Sequence, residues 1–273
     1  MRTWIATRPV TAYYLLALLF TWSYWIALIT QGKHSGTGTA VSHLPGLLGP
    51  MLAAFAITAV VDGPSGLLAL LKRMLNWGSS WYRSLLLALS PLAMGVVVFA
   101  ALPLFGANIP PLRDFFLYPG LSGSLPWWVV LLLVLLINGY GEETGWRGFM
   151  MERLLQRYDR FHATLIIAAG WIIWHIPVFW INVSMTALVG PMLLGWVFGI
   201  VCGAFVLAHV YLISGRSILT VALWHALYNM MVAPRAATGI PAAAVSTVVM
   251  LWGVVVAWRW WRDARSRRAP KGG

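Results

Sequence analysis

Eight apolar segments, each of a length suited to crossing a lipid bilayer, constrain this chain more than any other feature. They lie at roughly residues 10–30, 44–61, 84–105, 127–149, 161–181, 189–212, 217–233 and 240–258. A helix needs about 20 mostly apolar residues to cross the ~30 Å hydrocarbon core of a bilayer. Because lipid offers the backbone no hydrogen-bond partner, only helices and closed barrels span it. The sequence therefore predicts an all-α, polytopic membrane helical bundle with about eight transmembrane helices.

The number of spans has two open alternatives. The segment at 217–233 is short, and Pro177 and Pro191 lie within or beside predicted helices. Proline removes a backbone donor and bends or ends a helix. Seven spans, or a re-entrant segment, are therefore also compatible with the sequence.

Composition supports a membrane protein without a separate soluble part. The chain is 60% hydrophobic and 10% charged, whereas soluble domains are about 25% charged. The connections between the apolar segments are too short for a water-soluble domain, so residues 1–273 are predicted to form one integral membrane domain, with its sequence motifs in 127–233. The single cysteine, Cys202, excludes an intramolecular disulfide and is expected to be a small buried hydrophobic residue.

The distribution of basic residues predicts the orientation. With the N-terminus inside, fifteen of the nineteen Lys and Arg residues fall on cytoplasmic segments and three on outer segments. Such an excess marks the cytoplasmic side, so both termini are predicted to be cytoplasmic and the protein to lie in the cell (plasma or inner) membrane. The basic tail at 259–273 is interpreted as an anchor to the anionic lipid bilayer. No nucleic-acid partner is expected despite the net charge of +12.

One helix carries a small-residue stripe. Gly195, Gly199 and Gly203 recur every four residues, a spacing that places them on one face and lets a neighbouring backbone approach. This stripe is predicted to be a packing surface, not a ligand site.

Two adjacent carboxylates stand out within the apolar segments. Five of the seven acidic residues fall in predicted loops or at span ends, which leaves Glu142 and Glu143 inside. A charge at the centre of a membrane helix costs about 2.5–3.5 kcal/mol. Arg147 follows Glu143 by four residues, the spacing of a helical ion pair. A purely structural pair would explain Glu143 and Arg147, but it leaves Glu142 unexplained.

Three further polar residues lie in other apolar segments. His175 lies mid-span, and His225 and Asn229 share one face of a later helix because they are four residues apart. Each residue alone would more often be a hydrogen-bonded link between helices. Together with Glu142 they suit hydrolysis: the carboxylate and His175 could activate a water, while His225 and Asn229 could bond the developing oxyanion.

The motifs resemble those of a known family. The run Glu142 to Phe149 is similar to the EExxxR motif of the CAAX-protease and bacteriocin-processing (Abi) family of intramembrane proteases, which includes the Rce1-type prenyl-protein endopeptidases. The segment from Trp171 to His175 resembles the Phe-x-x-x-His motif of that family, and His225 to Asn229 resembles His-x-x-x-Asn. The resemblance covers about 140–230 and keeps the order of the three motifs.

The resemblance implies a glutamate-dependent intramembrane endopeptidase without a metal cofactor. It assigns Glu142 and His175 to water activation, His225 and Asn229 to the oxyanion hole, and Glu143 and Arg147 to support of the site. The chain departs from the family pattern at two positions. Trp171 stands where the family usually has Phe, and Arg216 separates a Gly and a Ser in the segment that leads into the third motif. Both departures concern substrate shape. The implied partner is a peptide or membrane-anchored protein, and the orientation predicts cleavage towards the cytoplasmic side.

Three other interpretations remain open from the sequence. A zinc site of Glu142, His175 and His225 would leave a coordination position for water, although the His-Glu-x-x-His signature is absent. The chain could also be a non-catalytic immunity or scaffolding protein of the same fold. A proton-coupled transporter is the third possibility.

Overall fold

The computed structural model describes residues 2–78 and 80–268, and helices make up most of that part of the chain. They are α1 Arg2–Thr7, α2 Pro9–Thr30, α3 Gly49–Val61, α4 Gly63–Leu75, α5 Trp81–Ala101, α6 Trp127–Val134, α7 Gly141–Gly145, α8 Glu152–Leu154, α9 Arg160–Trp174, α10 Val183–Thr186, α11 Met192–Ile213, α12 Ile218–Val232 and α13 Ile240–Arg268. Within the described ranges, β-structure is limited to two isolated bridges, Ser35 with Asn182 and Thr37 with Pro119.

Every apolar segment found in the sequence forms a helix. Among the described residues, six helical stretches are long and apolar enough to cross a membrane: Pro9–Thr30, Leu44–Val61, Trp81–Phe105, Arg160–Trp180, Met192–Ile213 and Ile240–Ser266. The remaining two apolar segments are the short helix α12 and residues 127–154. The protein is thus an integral membrane protein built as a polytopic helical bundle.

The apolar segment predicted at 127–149 forms a helix over residues 127–154, which is named here the motif helix. It runs without a break through α6, α7 and α8, but two π-helical stretches, Leu135–Tyr140 and Trp146–Met151, interrupt its α-helical spacing. π-helical turns are rare and concentrate at functional sites. They flank the glutamate pair on both sides.

The motif helix lies in the centre of the bundle. All residues from Gly141 to Met151 are buried, so this part of the helix presents no face to lipid. Backbones approach it closely: a Cβ atom on Gly139 would lie 2.6 Å from the carbonyl oxygen of Ala222, and one on Gly145 would lie 2.7 Å from that of Pro50. Glycine at these positions lets α12 and α3 pack against the charged segment.

A helix that the sequence patterns did not predict lies in the connection after α3. The helix α4 exposes Leu68, Leu71 and Leu75 while Leu70 is fully buried. Lys72 and Arg73 lie in its last turn. An amphipathic helix with basic residues is typical of one lying in a membrane interface.

The α-helix α9 ends before Pro177, where the sequence predicted a bend with His175 in mid-span. The α-helix stops at Trp174, and a 3₁₀ turn over Ile176–Trp180 follows. His175 is the C-cap residue of α9. The histidine therefore lies at a helix end, where its backbone no longer continues the α-helical ladder.

A buried polar cluster joins the loops at this end of the bundle. The Oδ1 atom of Asn182 accepts hydrogen bonds from the backbone N–H groups of Ser184 and Met185, which leaves its Nδ2 as the donor to Nε2 of His43, 3.3 Å away. Nδ1 of His43 must then carry the proton and donate to Oγ of Ser35, at 2.7 Å. His43 thus links two loops through hydrogen bonds to Asn182 and Ser35.

The glycine stripe on α11 does not provide the close approach that the sequence predicted. A Cβ atom on Gly195 or Gly203 would meet no atom within 4 Å, and one on Gly199 would meet only the flexible Met250 side chain. The close approach of α11 and α13 is at Gly253 instead, where a Cβ atom would lie 2.5 Å from the carbonyl oxygen of Cys202. Of the three glycines, Gly199 faces α13 through Met250, and a Cβ atom on either of the other two would meet open space.

The basic segment that begins at residue 259 continues α13 as far as Arg268. Trp260 and Ala264 are buried in the bundle, and Asp263 forms an ion pair with Arg160 at the start of α9. The last five residues of the predicted tail, 269–273, lie outside the described part of the chain.

We expect Gly253→Ala to destabilise the protein, because the backbone of Cys202 cannot yield to the added methyl group. Overpacking of this kind costs about 1–3 kcal/mol. The matched change Gly195→Ala adds a methyl group on the partner helix where space is open, and better helix propensity should stabilise that variant by up to about 1 kcal/mol. Thermal unfolding in detergent would measure both, and equal melting temperatures would contradict the proposed contact.

Candidate active site

All six site residues predicted from the sequence lie on the motif helix, α9 and α12. Glu143 and Arg147 are completely buried, while Glu142 and His225 retain 3% and 4% exposure. His175 and Asn229 are half-buried. The bundle therefore brings helices from three distant parts of the chain to one enclosed polar region.

Glu143 is the centre of a buried charged cluster. Its Oε1 atom accepts hydrogen bonds from Nη1 of Arg147, at 2.9 Å, and from Nδ1 of His225, at 2.7 Å. Among the described residues, Oε2 of Glu143 and Nε and Nη2 of Arg147 have no hydrogen-bond partner. The predicted pair of Glu143 and Arg147 is present, and a histidine of α12 joins it.

The histidine of α12 has a partner that the sequence did not predict. The sequence grouped His225 with Glu142 and assigned it to the oxyanion hole, and in the structure its Nδ1 is bonded to Oε1 of Glu143. The side chain of Asn229, one turn further along α12, forms no hydrogen bond with another described residue. Adjacent glutamates point about 100° apart around a helix, so only the packing of α12 could decide which one His225 meets.

Glu142 is bonded to a residue of α9 that was not predicted as part of the site. Its Oε2 atom accepts a hydrogen bond from the indole Nε1–H of Trp171, at 2.7 Å. The other oxygen, Oε1, has no hydrogen bond to a described residue. It also retains accessible surface, unlike Oε2 of Glu143, which is fully enclosed.

His175 is held through the backbone of the same tryptophan. Its Nδ1 lies 2.7 Å from the carbonyl oxygen of Trp171. A carbonyl can only accept, so Nδ1 carries the proton and, in the neutral ring, Nε2 is an acceptor. The rings of Trp174 and Trp196 pack edge-on against the imidazole, with centroids 4.7 and 5.5 Å away. Within the described residues, no direct hydrogen bond joins His175 to Glu142.

Two tyrosines adjoin the site without any motif to signal them. Tyr118, in the loop before the motif helix, is buried beside Asn138, and burial and the charge of Glu142 raise the pKa of its phenol above the ordinary value. Tyr13 of α2 is fully buried and stacks on Phe149 at 4.8 Å. Their separation from the motifs along the chain hides both from sequence reasoning.

The distance of the site from the basic end of the motif helix follows from the helical rise. Glu142 precedes Glu152, at the basic end of the motif helix, by ten residues, which corresponds to about 15 Å at a rise of 1.5 Å per residue. The hydrocarbon core is about 30 Å thick. His175 ends α9, and the start of that helix carries Arg160. The cytoplasmic position of the cleavage site, expected from the charge distribution, stays a prediction.

The described residues contain no group of three His, Cys, Asp or Glu side chains arranged to hold a metal ion. Two of the three residues considered as zinc ligands each use one side-chain atom in a hydrogen bond within the protein. Oε2 of Glu142 is bonded to Trp171, and Nδ1 of His225 is bonded to Glu143. The arrangement provides a carboxylate and a histidine beside a second, paired carboxylate.

We expect Arg147→Met to destabilise the protein by about 3–5 kcal/mol, because it leaves the Glu143 carboxylate without its strongest partner in a buried site. The exposed pair between Arg160 and Asp263 is the control, since Arg160→Met should cost only about 0–1 kcal/mol. Thermal unfolding in detergent compares the two. Equal losses would show that the buried pair has no special structural role.

Comparison with known proteins agrees with the motifs. A sequence model described as "Type II CAAX prenyl endopeptidase Rce1-like" matches residues 124–231, a range that contains all six predicted site residues. A CAAX prenyl protease 2 from Methanococcus maripaludis is 27% identical over 177 residues, which cover 63% of this chain and 63% of that protein. The match thus spans less than two thirds of the relative. Residues 124–231, which carry the three motifs, are thus similar in sequence to the Rce1-like CAAX prenyl endopeptidases.

Proposed function

We propose that the protein is an intramembrane endopeptidase in which Glu142 activates the attacking water. The observation that carries this proposal is the difference between the two glutamates. Glu143 is fully buried and bonded to two cationic or proton-donating partners. Glu142 has one oxygen held by Trp171 and a second oxygen that retains accessible surface and has no partner in the described chain. Glu142 is therefore the glutamate proposed to receive the water molecule.

In the proposed reaction, Oε1 of Glu142 accepts a proton from the water as its oxygen attacks the peptide carbonyl. Nε2 of His175 is the second acceptor, because the bond from Nδ1 to the Trp171 carbonyl leaves Nε2 unprotonated. The carbon–oxygen bond forms as the carbonyl becomes an oxyanion. When the carbon–nitrogen bond breaks, the proton held by Glu142 passes to the leaving amine, so protons balance over the cycle.

His225 and Asn229 are proposed to stabilise the oxyanion. Both lie on α12, one helical turn apart. Since Nδ1 of His225 donates to Glu143, its Nε2 can donate to an oxyanion only when the ring is an imidazolium, a charge that the adjacent carboxylate stabilises. The free amide of Asn229 supplies a second donor. Donors fixed in a site of low dielectric contribute most to such catalysis.

The proposed substrate is a peptide or a membrane-anchored protein that reaches the site within the bilayer. The position of Glu142 in a bundle of membrane-length helices supports this proposal. Because the relative is named a CAAX prenyl protease, a prenylated C-terminal peptide is the first substrate to test, with the same peptide lacking its prenyl group as the comparison. The reaction is proposed to be metal-independent.

We expect Glu142→Gln to lower the rate of peptide cleavage by about 10²–10⁴-fold, the usual contribution of a general base. Glu152→Gln is the matched control: the same substitution on the same helix, at a residue that bonds Tyr211 and Arg216 away from the site. Cleavage would be followed by mass spectrometry in detergent or proteoliposomes. Full activity of the Glu142 variant would refute the proposed role, and a non-catalytic scaffold or transporter predicts no cleavage by the wild type.

Strong chelators should leave the wild-type rate unchanged. A zinc site of Glu142, His175 and His225 would instead lose activity in 1,10-phenanthroline and recover it on addition of Zn²⁺. The assay is the same peptide cleavage, with a zinc protease as a positive control for the chelator. Reversible loss of activity would overturn the metal-independent mechanism.

A further inference from the structure

Trp171 contacts four of the six predicted site residues. Its indole Nε1–H donates to Oε2 of Glu142, and its carbonyl oxygen accepts from Nδ1 of His175. The guanidinium carbon of Arg147 lies 5.0 Å from the centroid of its ring. The ring of His225 stands perpendicular to it, at 5.8 Å between centroids. Within the described chain, this one residue of α9 touches the water-activating groups and the charged cluster together.

The bond to Glu142 orients the carboxylate. A carboxylate at the end of a flexible side chain can rotate, and either oxygen could then face a substrate. The indole N–H is a fixed donor because Trp171 is itself only 5% exposed and enclosed by the bundle. A hydrogen bond to an ionised acceptor is about twice as strong as a neutral one. Holding Oε2 in this way leaves Oε1 as the oxygen that can receive water.

The indole ring is in turn fixed by the charged cluster. Arg147 is bonded to Glu143 and lies against the ring of Trp171, an attraction worth about 2 kcal/mol or more when water is excluded. The order of contacts is therefore Glu143, Arg147, Trp171, Glu142. The paired glutamate and the water-activating glutamate are adjacent in sequence, but in space they are connected through a residue of another helix.

We propose that Trp171 is a positioning residue whose indole N–H sets the orientation of the Glu142 carboxylate for water activation. The inference rests on the proposed function for its catalytic meaning. It assigns to α9 a second role besides supplying His175. The ring alone would preserve the contacts with Arg147 and His225, so the N–H group is the part that the proposal requires.

The test is Trp171→Phe, which keeps an aromatic ring and removes the N–H. We expect kcat for peptide cleavage to fall about tenfold or more while KM changes by less than about twofold, since the lost interaction acts on the reaction step and not on substrate binding. The control is Trp25→Phe, which removes a fully buried indole N–H that donates to the backbone carbonyl of His43. That variant should keep the wild-type kcat.

A kcat within about twofold of wild type, or a change in KM alone, would overturn the proposal. If the Phe variant does not fold, 3-benzothienylalanine at position 171 replaces the N–H with sulfur and keeps the shape of the indole. The same kcat loss is then expected, and an unchanged kcat overturns the positioning role.

A stability measurement separates this inference from the proposed function. Melting temperatures are compared for wild type, Trp171→Phe, Glu142→Ala and the double variant. Because the two groups share one bond, the drop in melting temperature caused by Trp171→Phe should be smaller in the Glu142→Ala background. Additive shifts would overturn the proposed bond whether or not the protein cleaves peptides. If the melting-temperature shifts are not additive but the protein cleaves no peptide, the proposed function is refuted, while the bond by which Trp171 orients Glu142 is supported.

Discussion

The fold depends on a buried charged cluster in an otherwise apolar bundle. Glu143 accepts hydrogen bonds from Arg147 and His225 with no exposure to solvent. Separating two such charges from water costs several kcal/mol per ion, and only close partners recover that cost. The part of the motif helix from Gly141 to Met151 therefore has to lie where other helices surround it on every side. α3 and α12 achieve this by approaching at glycines, where a side chain would collide with their backbones.

The same cluster divides the two glutamates into different roles. Each carboxylate keeps one oxygen without a hydrogen bond to a described residue, but in Glu143 that oxygen is fully enclosed. Trp171 separates the two environments, since one side of its ring meets the guanidinium of Arg147 and its N–H meets Glu142. The structure thus places a buried ion pair and a carboxylate with different bonding on adjacent residues.

Several features of this arrangement could be predicted from the sequence. The length of the apolar segments located the membrane helices, because a run of about 20 apolar residues has the length of a helix that crosses a bilayer. The spacing of Glu143 and Arg147 predicted their contact, since residues four apart meet on any regular helix. Pro177 predicted a bend where α9 ends. The glycines of α11 were misleading, because their spacing shows which residues share a face but not which face another helix covers. The helix α4 was missed because an amphipathic pattern is weaker than a continuous apolar run.

The sequence by itself determined the membrane class, the helices and the set of polar residues available for chemistry, because these follow from local composition and helical periodicity. Only the tertiary structure decided that His225 bonds Glu143 and that Trp171 bonds Glu142. Adjacent positions on a helix face different directions, and the choice between them depends on the depth and rotation of neighbouring helices. Those are set by packing between segments more than 25 residues apart, which no local pattern records.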